Sequence, residues 1–143
     1  LYEVDLTQPS VDARRAEILS AESVDTFLHM AFLASPTHAS AWAHELESIG
    51  TLHVLNACRA RPVRKFVHWS QTLLYGASPS NPNCLTEDAP LRANPESRFL
   101  RDKIDVEQAV ARFAVQMPGD HAGGAACSFF QAWKPPATES AFG

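Results

Sequence analysis

Hydrophobic and polar residues along this chain follow two alternating periods, one typical of strands and one typical of helices. The strand-like segments are residues 1–7, 24–34 and 63–76. The helix-like segments are residues 10–23, 37–60 and 98–116. Strands and helices that alternate in this order are typical of parallel βαβ units, in which helices cover both faces of the sheet. The pattern therefore predicts an α/β fold with a doubly wound parallel sheet.

Individual residues support several of these segments. Ser10 is a suitable N-cap for the first helix, and Pro62 ends the second one. Residues 24–34, "VDTFLHMAFLA", contain too few polar residues for an exposed hairpin. We therefore predict that they form a strand buried on both faces.

Two segments outside the regular pattern are rich in residues that disfavour helices and strands. Residues 77–97 are rich in Pro, Asn and Ser, and a connection of that length is usually a functional or a disordered loop. Residues 119–143 have no strand period and predict an irregular or disordered tail. A chain of 143 residues forms one domain more readily than two. We therefore predict one domain, residues 1–118, followed by the tail.

Composition narrows the range of functions. Apolar residues make up 45% of the chain and charged residues 20%, which is typical of a globular protein. The net charge of −4 argues against nucleic-acid binding, because phosphate contacts need clustered Lys and Arg. The basic cluster "RARPVRK" lies at a predicted helix C-terminus, where basic residues are favoured for structural reasons. No apolar run is long enough to span a bilayer, so no membrane partner is expected.

The cysteine and histidine spacings do not indicate a metal site or a disulfide framework. Cys58, Cys84 and Cys127 are scattered and lack CxxC spacing, which is typical of a reducing, cytoplasmic setting. Neighbouring histidines such as His38 and His44 lack the i, i+4 spacing of a helical metal motif. We expect a cytoplasmic protein without a metal ion.

Five motifs, in order, resemble the extended short-chain dehydrogenase/reductase family, the NAD(P)-dependent sugar-nucleotide epimerases, dehydratases and reductases. The motifs are D-L at residues 5–6, "HMAFLAS", "VHWSQTLLYG", "LTEDAPLRANPESRFLRDK" and "IDVEQ". Each motif alone is weak, and their shared order and spacing over residues 1–118 carry the resemblance. It implies a Rossmann-like sheet with its site at the C-terminal ends of the strands.

The resemblance also implies which residues bind NAD or NADP. Asp5 and Leu6 match positions that bind adenine through a carboxylate and a backbone N–H. Ala31, Phe32 and Leu33 match the segment whose backbone passes the ribose and the diphosphate. For Asp5 the alternative is a turn carboxylate in solvent.

Lys103 matches the family's lysine, which holds the nicotinamide ribose and lowers the pKa of a neighbouring tyrosine. Ser70 is a further candidate for cofactor binding. The alternative for Lys103 is an exposed lysine on a helix. Because the other motifs are also present, we favour the cofactor-site interpretation for Asp5 and Lys103.

The catalytic positions depart from the family pattern. In YxxxK, a phenol one helical turn before the lysine takes the substrate hydroxyl proton as the hydride leaves. Here Phe99 occupies the tyrosine position, and a phenyl ring has no proton to exchange. Gln71 occupies the Ser/Thr position, and the neighbouring Thr72 could hydrogen-bond a substrate, although strand alternation aims it at the opposite face. The helix asparagine usual before the G-T pair is Glu47.

Two other sources of an acid–base group have simpler structural interpretations. Tyr75 belongs to the YG turn, where the family's tyrosine packs structurally. Glu87 and Asp88 lie in the long loop, which they more simply cap and solvate.

The ends of the chain also depart from the family pattern. The chain begins at Leu1, and the Gly-rich turn that cradles the diphosphate would precede that residue. We therefore expect that the first βαβ unit is missing and that cofactor affinity is negligible. The family's C-terminal strand and substrate-binding portion are also expected to be missing. With suitable codons, a one-base shift in reading frame turns "HAGGAACS" into "TPVVLRAA", a strand of the expected kind. This is the basis of an out-of-frame hypothesis for the tail.

Three functions are consistent with these observations. The first is a fragment of an NAD(P)-dependent epimerase/dehydratase-like protein that acts on a nucleotide-sugar-like substrate by hydride transfer, inactive as this chain because of Phe99. The second is a non-catalytic dinucleotide-binding sensor or partner-binding module. The third is a chain without independent function, because exposed sheet edges favour aggregation. By analogy with the family, segments 37–60 and 98–116 would pair two subunits in a homodimer.

Overall fold

A computed structural model describes residues 1–8, 11–86, 89–116 and 125–131 of the chain. Within these residues the strands are β1 (Thr26–His29), β2 (Lys65–Gln71) and β3 (Ala125–Gln131). The α-helices are α1 (Val11–Ala21), α2 (Ser40–His44), α3 (Gly50–Ala60) and α4 (Arg98–Gln116). A π-helical segment, Glu45–Ile49, joins α2 to α3, so residues 40–60 form one long helix. A 3₁₀ turn, Thr72–Tyr75, follows β2.

The three strands form a parallel sheet in the order β1-β2-β3. Phe27 on β1 lies opposite Phe66 on β2, and Phe66 lies opposite Ala126 on β3. Parallel neighbours need crossover connections, and these contain the long helix after β1 and α4 after β2. The predicted α/β architecture with parallel βαβ units is therefore confirmed.

The hydrophobic core lies between the helices α1, α3 and α4 and one face of the sheet. Phe66 is fully buried at its centre, stacked on Phe27 at 5.8 Å and edge-on to Phe113 at 5.5 Å between ring centres. The other buried apolar residues of this core are Leu19, Val54, Leu55, Ala57, Cys58, Val63, Val106, Ala109 and Val110. The helices are therefore fixed against β2, whose C-terminal end leads toward the candidate site.

Polar side chains are buried beside this core. His29 stacks on His68 with 5.6 Å between ring centres, and its Nε2 is 2.9 Å from the Thr51 hydroxyl oxygen. His68 Nε2 is 3.5 Å from Glu107 Oε1, and Arg15 is only 6% exposed. Burial, followed by the charges of His68 and Arg15, lowers the pKa of His29 to about 3. His29 is therefore a neutral imidazole at physiological pH.

Helix α4 has the same bounds that its periodicity predicts. Its buried apolar residues, Val106, Ala109, Val110 and Phe113, recur at helical spacing on one face. The same face also buries Lys103 in the second turn. A charged residue buried on an apolar face needs a partner, which directs attention to that end of the helix.

Other predicted boundaries need correction. The helix predicted over residues 37–60 begins at Ser40 and contains the π-helical segment. The strand predicted over 24–34 is only Thr26–His29, and it is not buried on both faces, because Leu28 is 53% exposed. The prediction missed this because β1 is paired on one side only among the described strands, and the chain leaves the sheet after His29.

The two ends of the chain also differ from the prediction. Residues 1–8 contain no strand, because no described strand lies beside them to complete a ladder. Residues 125–131, predicted as part of an irregular tail, form β3 because the edge of β2 pairs with them along its whole length. Ser10 and the remainder of the tail lie outside the described residues, and the domain boundary at residue 118 stays a prediction.

The cysteines and the helices add two further observations. Cys58 and Cys84 are free thiols, and burial raises the pKa of Cys58 to about 12.

In the part of the chain that the structure describes, no helix has the length and apolar composition needed to cross a bilayer.

Candidate functional site

Lys103 lies at the centre of the candidate site, on the face of α4 that packs against the long helix. Its side chain is only 7% exposed, and its ammonium nitrogen is 3.0 Å from each carboxylate oxygen of Glu47. The ammonium also lies 4.9 Å from the ring centre of Phe99 and 5.0 Å from that of Phe32. One buried cation is therefore held by an ion pair and by two aromatic rings.

Glu47 belongs to the π-helical segment that joins α2 to α3. Such segments break the regular hydrogen-bond ladder and are frequent at functional sites. Besides its ion pair with Lys103, the carboxylate accepts a hydrogen bond from the backbone N–H of Leu33. Glu47 therefore connects three parts of the site, namely the long helix, α4 and the segment that follows β1.

The electrostatics of the ion pair reflect its burial. Burial lowers the pKa of Lys103, and the carboxylate of Glu47 opposes that change by its charge and its hydrogen bond. The charges of Glu107 and Asp102 act in the same direction as Glu47. The ammonium is thus costly to desolvate and depends on its carboxylate partner.

Gln71 lies at the C-terminal end of β2 and contacts the segment that follows β1. Its side-chain amide donates a hydrogen bond to the Ala34 carbonyl at 3.4 Å. Its side-chain oxygen is buried and accepts no hydrogen bond from the described residues. Ser70 is buried in β2, whereas Thr72 is half-buried at the start of the 3₁₀ turn. The site therefore contains one buried acceptor that a ligand could satisfy.

Asp5 and Leu6 lie before the first helix, in a turn. The Asp5 carboxylate accepts hydrogen bonds from the Thr7 backbone N–H at 2.9 Å and the Thr7 hydroxyl at 2.8 Å. The first of these bonds is the largest cause of the lowered pKa of Asp5. Leu6 packs on Gly50, where an added Cβ would be 3.1 Å from the Leu6 Cβ. Leu6 is therefore close to the long helix one turn beyond Glu47, whereas the bonds of Asp5 are those of a turn carboxylate.

A cavity of about 220 Å³ adjoins the ion pair. Glu47 and Phe99 both line it, so the acidic residue and the residue at the tyrosine position border the same space. The other residues that line it are Pro36, Thr37, Ser40, Ala43, Ser97, Arg98 and Asp102. The cavity is large enough for a few polar groups of a small ligand beside Lys103.

A second polar pair lies one helical turn from the first. His44 Nδ1 is 3.0 Å from Asp102 Oδ1, and Asp102 is buried, whereas the His44 side chain is 35% exposed. His44 and Glu47 are three residues apart on the long helix, and Asp102 and Lys103 are consecutive on α4. Two polar side-chain pairs, Glu47–Lys103 and His44–Asp102, therefore join these helices where the cavity lies.

The structure brings together several of the predicted site residues. Phe32, Leu33, Phe99 and Lys103 meet around the Glu47 carboxylate, and Gln71 contacts the same segment through Ala34. Ala31 lies in that segment after β1 and is half-buried. The Asp5 carboxylate instead bonds within its own turn, to Thr7.

Sequence reasoning missed three charged residues of the site. The sequence identifies Glu47 only as a replacement for the family's asparagine. The available signal was a carboxylate at that position in a chain that also has the lysine helix. His44 and Asp102 gave no signal, because their pairing depends on how two helices pack. Tyr75 is buried at 4% exposure, and Glu87 and Asp88 lie outside the described residues. Among the described residues, no cluster of three metal-binding side chains occurs.

Comparison with known proteins identifies the class. A family model described as the NAD dependent epimerase/dehydratase family matches residues 1–129. This chain belongs to that family, which confirms the resemblance, the Rossmann-like fold and NAD(P) as the cofactor of the class. The match extends beyond residue 118 into the predicted tail.

Two kinds of relative show how much of a longer protein this chain resembles. An uncharacterized protein of Mycobacterium tuberculosis is 32% identical over 106 residues, which is 72% of this chain and 28% of that protein. A UDP-glucose-4-epimerase from Stenotrophomonas maltophila with bound NAD and formylated UDP-arabinopyranose has a TM-score of 0.73 at 21% identity, over 90% of this chain and 36% of that one. RMD from Pseudomonas aeruginosa, complexed with NADPH, has a TM-score of 0.72 at 18% identity, over 92% of this chain and 42% of that one. The chain thus spans about a quarter of the length of the curated relatives it matches.

The residues present fit the ribose end of such a cofactor. A ribose diol both donates and accepts hydrogen bonds, and Lys103 with Glu47 offers a donor and an acceptor side by side. The buried side-chain oxygen of Gln71 can accept one further hydrogen bond. A bound nicotinamide would supply the hydride acceptor, and these residues would orient its ribose.

Proposed function

We propose that this chain supplies part of the NAD(P)-binding domain of an epimerase/dehydratase-like protein that acts by hydride transfer on a nucleotide-sugar-like substrate. The observation that carries the proposal is the buried Lys103, four residues after Phe99, paired at 3.0 Å with Glu47. Family membership and the donor and acceptor groups at this site support it. Asp5, Leu6, Ala31, Phe32, Leu33 and Ser70 are the further cofactor contacts proposed.

The position of Phe99 determines which chemistry the site lacks. Its ring lies 4.9 Å from the Lys103 ammonium, where a phenol would exchange a proton with the substrate hydroxyl. A phenyl ring binds no proton, so the phenol route is closed. Gln71 and Thr72, at and beside the Ser/Thr position, can contribute hydrogen bonds only.

The second candidate is a non-catalytic module that binds a dinucleotide and signals to a partner. The Glu47–Lys103 ion pair favours it, because the carboxylate partly neutralises the lysine charge. The lysine also has no neighbouring phenol to activate. Under this candidate the cofactor binds and nothing is oxidised.

Cellular setting and assembly are part of the proposal. The free thiols of Cys58 and Cys84 fit a reducing, cytoplasmic location. The long helix carries exposed apolar side chains, Trp42 at 49% and Leu52 at 42%. These fit a homodimer through helices, and neither nucleic acid nor a membrane is a proposed partner.

The test is a titration of the isotope-labelled chain with NADH and with nicotinamide mononucleotide, followed by amide chemical shifts. The mononucleotide needs the ribose site alone, so its binding tests the residues around Lys103 directly. We expect weak binding, with Kd on the order of 1 mM. The shifts should centre on Leu33, Glu47 and Gln71.

The variant Lys103→Met should reduce these shifts, because the donor to the ribose is removed. Lys65→Met changes an exposed lysine at the start of β2 and is the matched control. Shifts that map away from the ion pair, or that survive Lys103→Met unchanged, would contradict the proposed site.

A further inference from the structure

The site without a phenol still contains a carboxylate beside Lys103. Glu47 is 5% exposed, lines the cavity of about 220 Å³ and shares that cavity with Phe99. Its oxygens and the Phe99 ring centre lie 3.0 Å and 4.9 Å from the same nitrogen of Lys103. The carboxylate and the ring at the tyrosine position therefore both lie against the same ammonium.

From this juxtaposition we infer that Glu47 is the proton acceptor of the reaction, in place of the tyrosine that Phe99 replaces. The inference rests on the proposed function and names the acid–base residue of that same site. Carboxylates are established general bases when they reach the reacting hydroxyl directly or through one water. The role also gives a reason why position 47 has a carboxylate, although the usual family residue there is asparagine.

The step balances as an alcohol oxidation. The cofactor, when bound, would supply the hydride acceptor for the carbinol C–H bond, and both electrons of that bond would leave with the hydride. The O–H proton passes to a carboxylate oxygen of Glu47, and the C–O bond becomes a carbonyl. Glu47 is then a neutral carboxylic acid, and it returns the proton when the hydride is delivered back.

Two contacts and the local helix geometry prepare Glu47 for this role. The backbone N–H of Leu33 and the Lys103 ammonium fix the orientation of its carboxylate. The π-helical segment aims residue 47 at α4. Lys103 remains close enough to stabilise the alkoxide character that develops on the substrate oxygen.

The experiment uses the 143-residue chain with NAD⁺ and UDP-glucose as the probe substrate. Glu47→Gln removes the proton-accepting group with little change in shape, and Glu45→Gln makes the same change at an exposed position of the same segment. We expect NADH formation to fall at least about 100-fold in Glu47→Gln and to be unchanged in Glu45→Gln. Formate should partly restore the rate of Glu47→Ala, because it supplies the missing carboxylate.

Two further measurements separate this inference from the proposed function. Nicotinamide mononucleotide should still shift the Leu33 amide in Glu47→Gln, so that binding survives while turnover is lost. Adding Phe99→Tyr to Glu47→Gln should restore turnover, because a phenol again lies beside Lys103. Absence of mononucleotide binding in the unaltered chain would overturn the cofactor site and this inference together.

Other results would overturn the inference alone. Retained turnover in Glu47→Gln would do so. A second such result is that the unaltered chain binds the mononucleotide but forms no NADH. That result overturns the inference whether or not Phe99→Tyr then creates activity.

Discussion

Phe99 and Lys103 are four residues apart on α4, and the residue that connects their chemistry lies on a different helix. Glu47 contacts the Lys103 ammonium with both oxygens at 3.0 Å, and Phe99 and Phe32 lie on the ammonium at 4.9 Å and 5.0 Å. The arrangement buries the charge pair and makes each partner dependent on the other. Its consequences at the residue scale are energetic as well as chemical.

Removing one partner of this pair should be far more harmful than removing both. Lys103→Met leaves the Glu47 carboxylate buried without its cation, and we expect a loss of about 3 to 5 kcal/mol in the free energy of unfolding. The double variant Glu47→Leu/Lys103→Met should recover most of that loss, because two apolar side chains replace two desolvated charges. Urea denaturation of the four proteins in a double-mutant cycle measures the coupling. Additive single effects would contradict the expected coupling.

Residue identities at the site were only partly predictable from the sequence. Lys103 and Phe99 follow from a local motif, because YxxxK fits within one helical turn and needs no knowledge of the rest of the fold. Glu47 and Asp102 require the packing of the long helix on α4, which no local pattern specifies. Leu33 contributes its backbone N–H, and its side-chain identity therefore gave no hint of that contact.

At the scale of elements, the hydrophobic periodicity correctly predicted the structure that depends on local sequence alone. The bounds of α4 are those of its apolar stripe, because all of its core contacts lie on one face. The π-helical segment was not predictable, because Glu45–Ile49 has the composition of an ordinary helix. Strand β1 was overestimated, because an apolar run does not reveal where a neighbouring strand ends, and β3 was missed because its pairing with β2 is long-range.

Gly76 ends the 3₁₀ turn in a backbone conformation, φ +73° and ψ 159°, that is essentially restricted to glycine. A Cβ there would also lie 2.5 Å from the Arg92 carbonyl oxygen. We therefore expect Gly76→Ala to lower the free energy of unfolding by at least about 1 to 3 kcal/mol. Thermal and urea denaturation measure this.

Ala77→Ser is the matched control, because it changes the adjacent exposed residue. It should alter stability by less than about 0.5 kcal/mol. Equal effects of the two substitutions would show that the turn is not restricted in the way described.

At the scale of the whole molecule, burial of polar groups makes folding depend on pH. His29 is neutral in the folded chain because its pKa is lowered from 6.5 to about 3. The unfolded chain binds a proton at this residue below about pH 6.5, whereas the folded chain does not. The contribution of the neutral, buried His29 to the free energy of unfolding is therefore fully present above pH 6.5, and it is lost as the pH falls toward 3.

As the pH falls between the two pKa values, we expect His29 to lower the free energy of unfolding by about 1.4 kcal/mol per pH unit. His29→Gln should flatten the plot of unfolding free energy against pH by that amount between about pH 6 and pH 4. Thr51→Val removes the hydroxyl 2.9 Å from His29 but keeps the buried imidazole, so the slope should persist in that variant. Urea titrations at several pH values provide the measurement, and parallel curves for His29→Gln and the unaltered chain would contradict the assignment.

The sheet also presents apolar surface at β1, which is paired on one side only among the described strands. Leu28 on this strand is 53% exposed, and Met30 just after it is 52% exposed. Exposed apolar edge strands promote association, so we expect the chain to self-associate with rising concentration. Leu28→Lys should weaken this association in sedimentation velocity experiments. Leu85→Lys, at an exposed loop leucine, should have less effect, and equal effects would mean that β1 is not the contact.

The carbonyl oxygen of Leu74 accepts hydrogen bonds from the backbone N–H groups of Arg92 and Ala93, at 2.9 Å and 3.0 Å. These bonds fasten the two ends of the Pro-rich connection together beside the sheet, independently of what lies between them. Lengthening a closed loop costs only about 0.6 kcal/mol per doubling of its length. The middle of this connection is therefore a permissive place to graft a foreign epitope or a fluorescent reporter, with the rest of the architecture left intact.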